Sequence, residues 1–346
     1  MILRFPKNDE TNSDLLYIDA LSITMRINFT SRLCPVCKSV DNYPVLTDIN
    51  RREGLPISAT LVECRHCGMR YLNPAPDALS LAQLYSNGVV DPVHVNPERI
   101  QPVSRTRSSV SFPWTIFRTI NGWLRGHPHD WPDEPGNGRK ILDFGCHDGR
   151  KLTYWYQLGW QVAGIDLNRQ AIEVAKRRFP DGQFWCGDLL ELEIPERFDF
   201  IRADNVIEHL LDPVAYLTAL AQLLKPGGQL RVFVPNGAAL SARLFGRYSY
   251  VYWMPFHLNL FTPRTLRLSL EKAGLTDVHC FTFSPIGSWA FTQCQILFRP
   301  GFNQRPLSLL ARWMIWCLNV LNYPGETLAQ WLGAGEELVA TGRRPI

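Results

Sequence analysis

The chain of 346 residues has no apolar run of the roughly 20 residues that a membrane-spanning helix requires. Its closest approach, Leu307–Leu321, is interrupted by Ser308, Arg312 and Asn319. A secretory signal is not expected either, because Met1–Glu10 mixes Arg4, Lys7, Asp9 and Glu10 with few apolar residues. There is little charge excess of either sign: 36 Lys+Arg against 32 Asp+Glu leaves a net charge of +4. That balance is far from the strongly basic footprint of most nucleic-acid binders. Internal repeats and low-complexity tracts are absent, and 46% hydrophobic with 20% charged residues excludes a disordered chain. What is left is a globular protein of about two domains, expected in the cytoplasm. In that compartment the nine cysteines are expected as thiols or metal ligands, not disulfides.

Four of those cysteines are patterned. Cys34-Pro-Val-Cys37 and Cys64-Arg-His-Cys67 are two Cys-x-x-Cys knuckles separated by 26 residues. Each knuckle sets two thiolates on one tight turn, and two turns complete a tetrahedral sulfur site suited to zinc. With four protein ligands the site is closed, so its zinc is expected to be structural. His66 is read as a surface residue. The other five cysteines (146, 186, 280, 294 and 317) are scattered and read as small core hydrophobes. Residues 1–90 thus form a first domain. A connector over 91–138 follows, with seven prolines between Pro92 and Pro135 and a helix predicted at Trp114–Arg125. His127 and His129 fall in this connector and read as exposed linker, because the prolines keep ligands from collecting on one regular face.

From residue 139 onward the chain alternates strand and helix. Strands are expected at Ile141–Phe144, Gln161–Ile165, Gln183–Cys186, Phe198–Arg202 and Gln229–Val234. Helical patterns fill Lys151–Leu158, Gln170–Arg178 and Val214–Leu224, the last stopped by Lys225-Pro-Gly-Gly228. After an aromatic-rich insertion at 236–263 come a helix (Arg264–Ala273), a strand (Val278–Phe283), an apolar insertion (285–335) and a last strand (Glu337–Thr341). Such alternation predicts a mostly parallel α/β sheet covered on both faces. Ligands of these sheets bind at the carboxyl ends of the strands. Acidic residues stand there in succession: Asp143 ends the first strand, Asp166 the second, and Asp188 follows the third. Between Asp143 and the first helix runs a loop bearing Gly145 and Gly149, where a backbone can approach a ligand closely. A carboxylate after the second strand is placed to accept hydrogen bonds from a ribose diol.

These residues resemble the core of class I S-adenosylmethionine (SAM) methyltransferases over 139–236. The matching segments are Ile141–Gly149, Val162–Asn168, Gly187–Leu189, Phe198–His209 with Asp212-Pro213, and Leu224–Asn236. The cysteine knuckles, Tyr71-Leu72-Asn73-Pro74, Leu84-Tyr85, Pro255–Leu266 and Gly335–Leu338 resemble a bacterial subgroup with an N-terminal zinc ribbon. Some of its members methylate nucleotide-linked deoxysugars at carbon; others resemble participants in glycan or secondary-metabolite assembly. The resemblance implies a Rossmann-like sheet of seven strands, mostly parallel with the last antiparallel, preceded by a small zinc-ribbon domain. It implies SAM as cofactor and zinc as structural metal at Cys34, Cys37, Cys64 and Cys67. Asp143, Gly145, His147 and Gly149 would line the methionine end, and Asp166 with Leu167 the ribose. Asp188 and Leu189 would meet the adenine, and Asn205 and Val206 would lie below the sulfonium. The chain leaves the family pattern at His147, which stands where the motif has its middle glycine; His accepts positive φ more readily than most residues.

Methyl transfer to oxygen or carbon also needs a proton removed. By resemblance His257, in the insertion over the carboxyl edge, is the first candidate base, although Phe256 stands where the subgroup has Glu. His209 and Tyr85 are further candidates. The acceptor implied is a small molecule or a sugar-linked group, for which the rings of Tyr248–Trp253 offer stacking surfaces. An RNA acceptor is the competing reading, with Arg105, Arg107, Arg118, Arg125 and Lys140 as phosphate contacts; the modest charge argues against it. A non-catalytic SAM fold is a third reading. The apolar helix expected at 307–321 fits burial or dimerisation, with a membrane surface as the other option.

Overall fold

The computed structural model describes residues 13–18, 23–49, 58–86, 101–105, 134–249, 251–254, 256–298 and 309–346. The expected connector helix and both connector histidines lie outside these residues. The N-terminal part comprises β1 (Ser13–Ile18), β2 (Ile23–Thr30), β3 (Asn42–Ile49), β4 (Ser58–Cys64), β5 (Arg70–Leu72), β6 (Ala75–Pro76) and helix α1 (Ala78–Ser86). Strands β1, β2 and β6 form one small sheet; β3, β4 and β5 form another, antiparallel throughout.

The remainder runs β7 (Lys140–Phe144), a 3₁₀ turn (Arg150–Leu152), α2 (Thr153–Gln157), β8 (Gln161–Asp166), α3 (Arg169–Arg178), β9 (Gln183–Cys186), β10 (Phe198–Asp204), a second 3₁₀ turn (Ile207–His209) and α4 (Pro213–Leu223). Next come β11 (Leu224–Pro235), α5 (Leu240–Phe245), β12 (Asn259–Leu260), α6 (Pro263–Lys272), β13 (Thr276–Phe283), α7 (Ser288–Phe298), α8 (Leu309–Trp331) and β14 (Glu337–Arg343). Seven strands make the main sheet in the order β13-β14-β11-β10-β7-β8-β9. Only β14 runs against its neighbours, pairing antiparallel with both β11 and β13. This is the sheet expected from the sequence.

Local chemistry explains the helix starts. The Asn168 side chain caps α3 by accepting from the Ala171 N–H at 3.1 Å, and Arg177 and Arg178 close its last turn. Asp212 caps α4 ahead of Pro213, and Thr262 with Thr265 forms a capping box ahead of Pro263 in α6. Strand β10 is buried on both faces, as a sheet covered on both sides demands: Ile201 and Ala203 point one way, Phe198, Phe200 and Arg202 the other, and all are buried.

Three elements depart from expectation. The Lys225–Gly228 turn does not separate helix from strand: β11 already starts at Leu224. The four residues form a break in register between the Phe198–Leu224 and Phe200–Gln229 pairs. Gly227, at φ 74°, lets the chain make that bulge. Helix α8 runs ten residues past Leu321 and contains Pro324, so the apolar segment is one long helix with an internal proline. Most consequential is β12. It belongs to the N-terminal sheet, with Asn259 opposite Tyr71 and Leu260 opposite Arg70, giving the order β12-β5-β4-β3. Arg32 fastens the same junction by donating to the carbonyls of Leu72, Leu211 and Leu258 and to the Asn259 side chain. The buried Cys34, Cys64, Cys67 and Met69 share one apolar cluster with Phe144, Ile201 and Phe261 of the larger domain.

Candidate active site

Asp143 is the penultimate residue of β7, opposite Arg202 on β10, and both are fully buried. One Asp143 oxygen lies 3.5 Å from Arg202 Nε; the other has no hydrogen-bond partner among the described residues. Burial pushes its pKa up to about 6, although Arg202 pulls the other way. Arg202 also pairs with Asp204, which meets Arg231 at 3.1 Å. Burial pushes the Asp204 carboxyl up, but these two guanidinium groups outweigh it and hold the group below the ordinary carboxylate range. This buried charge network beneath the carboxyl edge left no pattern in the sequence.

The loop after Asp143 needs its glycines for two separate reasons. Gly145 has φ 76°, and a Cβ there would come within 2.3 Å of the Val206 side chain. Gly149 has φ 72°, and a Cβ would press on the Phe179 ring at 3.0 Å. His147 sits between them with φ 48°, in the same left-handed region. Its backbone N–H donates to Asp166 at 2.8 Å, so the substituted position ties the loop to the end of β8. The other Asp166 oxygen accepts from the Asn168 N–H at 2.8 Å. Asp148 bridges Arg150 (2.9 Å) and Arg178 (3.2 Å) behind the loop. Burial raises its carboxyl, but hydrogen bonds from His147 and Arg150 and the charge of Arg178 hold it well below the carboxylate range.

The remaining predicted cofactor residues line the same edge. Asp188 follows β9; its carboxylate accepts from the Tyr216 hydroxyl at 2.6 Å and from the Leu190 N–H at 2.9 Å. Tyr216 in turn stacks on Phe144 at 5.9 Å. Leu189 is buried and Leu167 half exposed. Asn205 takes φ 57° just past β10, and Val206 covers Gly145. These features fit SAM: a buried carboxylate oxygen without a partner among the described residues, and acidic residues at the ends of consecutive parallel strands.

Two of the three candidate catalytic residues meet. His209 and His257 have ring centroids 5.0 Å apart, and both are enclosed by Trp253. His209 Nδ1 lies 2.8 Å from the Phe256 carbonyl, and His257 Nδ1 lies 3.0 Å from the Val251 carbonyl. A carbonyl only accepts, so each ring carries its proton on Nδ1 and has Nε2 as its basic nitrogen. Burial lowers the His209 pKa to about 4, so this ring is neutral near pH 7. Glu208 completes the group. Its carboxylate is fully buried, lies 3.7 Å from His209 Nε2, and has no hydrogen-bond partner among the described residues. Burial lifts its pKa well above the ordinary range. One polar atom from each of Glu208, His209 and His257 lies within 4.8 Å of the others, which brings the turn after β10 and the 236–263 insertion together. Tyr85 lies in α1, but its side chain is outside the described residues.

The four knuckle cysteines converge as expected. Cys34 and Cys67 Sγ are 3.5 Å apart, Cys37 and Cys64 Sγ 3.4 Å, and all four sulfurs lie within 4.8 Å of one another. These separations far exceed a disulfide bond of about 2.05 Å and are close to the edges of a tetrahedron built on zinc–sulfur bonds of about 2.3 Å. Of the arginines weighed for RNA, Arg105 is described: it is paired with Asp181 at 2.5 Å and lies over the Tyr156 ring.

A family profile described as a methyltransferase domain matches residues 124–280. Ubiquinone biosynthesis O-methyltransferase from a Ruegeria species is 32% identical over 168 residues, spanning 44% of this chain and 68% of that protein. The chain belongs to the class I, SAM-dependent methyltransferases. A protein of the same name from Cereibacter sphaeroides is 31% identical over 172 residues, 46% of this methyltransferase and 69% of the relative. Among solved structures, a SAM-dependent methyltransferase from Archaeoglobus fulgidus is 19% identical with a TM-score of 0.41, covering 66% of this chain and 99% of its own. The family match begins after the cysteine knuckles, which the methyltransferase carries as an addition to its core.

Proposed function

We propose that this protein transfers a methyl group from SAM to a hydroxyl of a small-molecule or sugar-linked acceptor seated beneath the 236–263 lid. The observation that carries the reading is the meeting of Glu208, His209 and His257 just beyond Val206, the residue that roofs the Gly145 loop. When bound, SAM supplies an electrophilic methyl group on a sulfonium. Asp143, Gly145, His147 and Gly149 hold its methionine end, Asp166 and Leu167 its ribose, Asp188 and Leu189 its adenine, and Asn205 and Val206 the floor below the sulfonium. His257 Nε2 takes the acceptor proton, and its Nδ1–H bond to Val251 fixes the ring for that task. His209, buried and neutral, orients the pair from behind. The relatives named O-methyltransferases support oxygen as the nucleophile and a small molecule as the acceptor. Cys34, Cys37, Cys64 and Cys67 bind one structural zinc.

Calorimetric titration of the purified protein with SAM tests the reading at its base. Heat saturating near one SAM per chain is expected. Absence of heat at high protein concentration would return the protein to the class of SAM-like folds that do no chemistry.

A further inference from the structure

Helix α8 shows solvent a face that a globular protein normally hides. Trp313, Trp316, Val320, Leu328 and Trp331 recur at intervals that place them along one side, and each is more than half exposed, as is Leu321 beside them. The stripe is about 30 Å long at 1.5 Å per residue. Glu326 is the sole charged residue between Trp313 and Leu332. It is turned inward, where it accepts from the Trp289 N–H at 3.0 Å and the Gly287 N–H at 3.2 Å at the start of α7. Gln293 and Asn322 tie the same two helices through paired amide bonds of 2.8 and 3.2 Å. The inner face is therefore anchored and the outer face open. From Val278 to Gly325 the sequence contains no aspartate or glutamate and three arginines. Among the described residues no helix is long and apolar enough to cross a membrane.

We propose that α8 lies flat on a bilayer surface rich in anionic headgroups, with its tryptophans at the boundary between headgroups and acyl chains. Tryptophan favours that boundary because its ring is apolar and its N–H is not. The acid-free, arginine-bearing stretch matches an anionic surface in sign. A second copy of the chain fits less well, since this stretch has no acidic residue with which its arginines could pair across such an interface. Docking on this face would place the enzyme beside acceptors that are themselves anchored in lipid.

The test needs neither SAM nor acceptor. Zinc-loaded full-length protein is sedimented with vesicles of phosphatidylcholine alone or mixed with phosphatidylglycerol, alongside the triple variant Trp313→Ser, Trp316→Ser, Trp331→Ser. The expected result is pelleting with the mixed vesicles, a blue shift of tryptophan emission, and affinity lower by about tenfold or more in the variant. The substituted side chains are exposed, so circular dichroism should show the variant folded like the parent. Failure to bind mixed vesicles overturns the proposal. So does equal binding by the folded variant, or a doubled mass in light scattering that the variant returns to monomer. The last outcome assigns the face to a second copy.

Discussion

The Asp143–Gly149 loop, proposed to hold SAM, and the histidine cluster lie on the same sheet edge but are built in opposite ways. The loop is local. Asp143 to Gly149 come from seven consecutive residues, and their shape follows from backbone sterics at Gly145 and Gly149 and from hydrogen bonds to the Ile165 carbonyl and the Asp166 carboxylate at the end of β8. The cluster is assembled from distant parts. Glu208 and His209 follow β10, His257 comes from the lid, and the lid is held in turn by β5 of the cysteine-bearing sheet. A local site survives wherever its own sequence folds. A composite site depends on every contact that brings its pieces together, so the two regions should fail under different perturbations.

The sharpest separation should come from the ribbon. Cys64→Ser removes one of four thiolates that meet at the end of β4, and a structural zinc site contributes free energy directly to folding. The ribbon sheet carries β12, two residues from His257. Turnover is expected to fall by more than about a hundredfold, and zinc content to near zero, while SAM affinity falls by less than about tenfold. Equal loss of both would mean that the ribbon supports the whole sheet and that the lid has no special dependence on it. Metal analysis and SAM calorimetry on the same sample decide between the two.

A narrower effect is expected from His257→Ala, which leaves the ribbon intact and removes only the ring. A general base contributes on the order of 10²–10⁴ in rate, so turnover should drop by that factor with SAM affinity within about threefold of the parent. Unchanged turnover would exclude His257 as the base and shift that role to His209.

The same contrast accounts for what the sequence could disclose. Strand β9 falls at Gln183–Cys186 as expected, and Asp143 and Asp166 stand at the ends of β7 and β8, because apolar periodicity and strand-end acids are local signals. The pairing of β12 with β5 has no such signal, since two short strands nearly 190 positions apart leave no periodicity to read. Glu208 was visible as half of a Glu-His pair, but its place under His257 depends on how the lid folds back. Arg202 and Arg231 occupy strand positions that periodicity would assign to apolar side chains, and only the structure shows Asp204 compensating both. The apolar residues all round α8 fit burial, a partner chain or a membrane surface, and among the described residues Trp313, Trp316, Val320, Leu321, Leu328 and Trp331 are exposed.

The pH dependence of stability probes the composite site more gently. The folded His209 has a pKa near 4 against 6.5 for the free side chain. Its neutral form is favoured by folding, so its contribution is complete above pH 6.5 and is lost as pH falls toward 4. The full span is about 3 kcal/mol at 1.36 kcal/mol per unit. Glu208 and Asp143, both raised by burial, act in the opposite direction, since their contributions fade as pH rises. Denaturant melts of the parent and of His209→Gln should therefore diverge between pH 6.5 and 4, with the variant losing less stability on acidification. Parallel curves would mean that the buried ring accepts a proton without cost and is solvated more freely than its enclosure by Trp253 and His257 implies.

The smallest effect is expected where the sequence departs most visibly from its family. His147 occupies a left-handed position that glycine takes without strain, at a cost of about 1 kcal/mol for a residue with a side chain. Its backbone N–H donates to Asp166, a contact any residue would provide, while its ring lies 3.8 Å from Asp148 behind the loop. His147→Gly should therefore leave SAM affinity within about threefold, and stability nearly unchanged as well, because relief of strain in the folded state is offset by the greater freedom of glycine in the unfolded chain. A rise in affinity beyond about tenfold would show that the imidazole narrows the methionine pocket; a comparable fall would show that the ring itself contacts SAM. Either result would make the loop depend on a side chain as well as on backbone shape, and the difference between the two halves of the site would become one of degree.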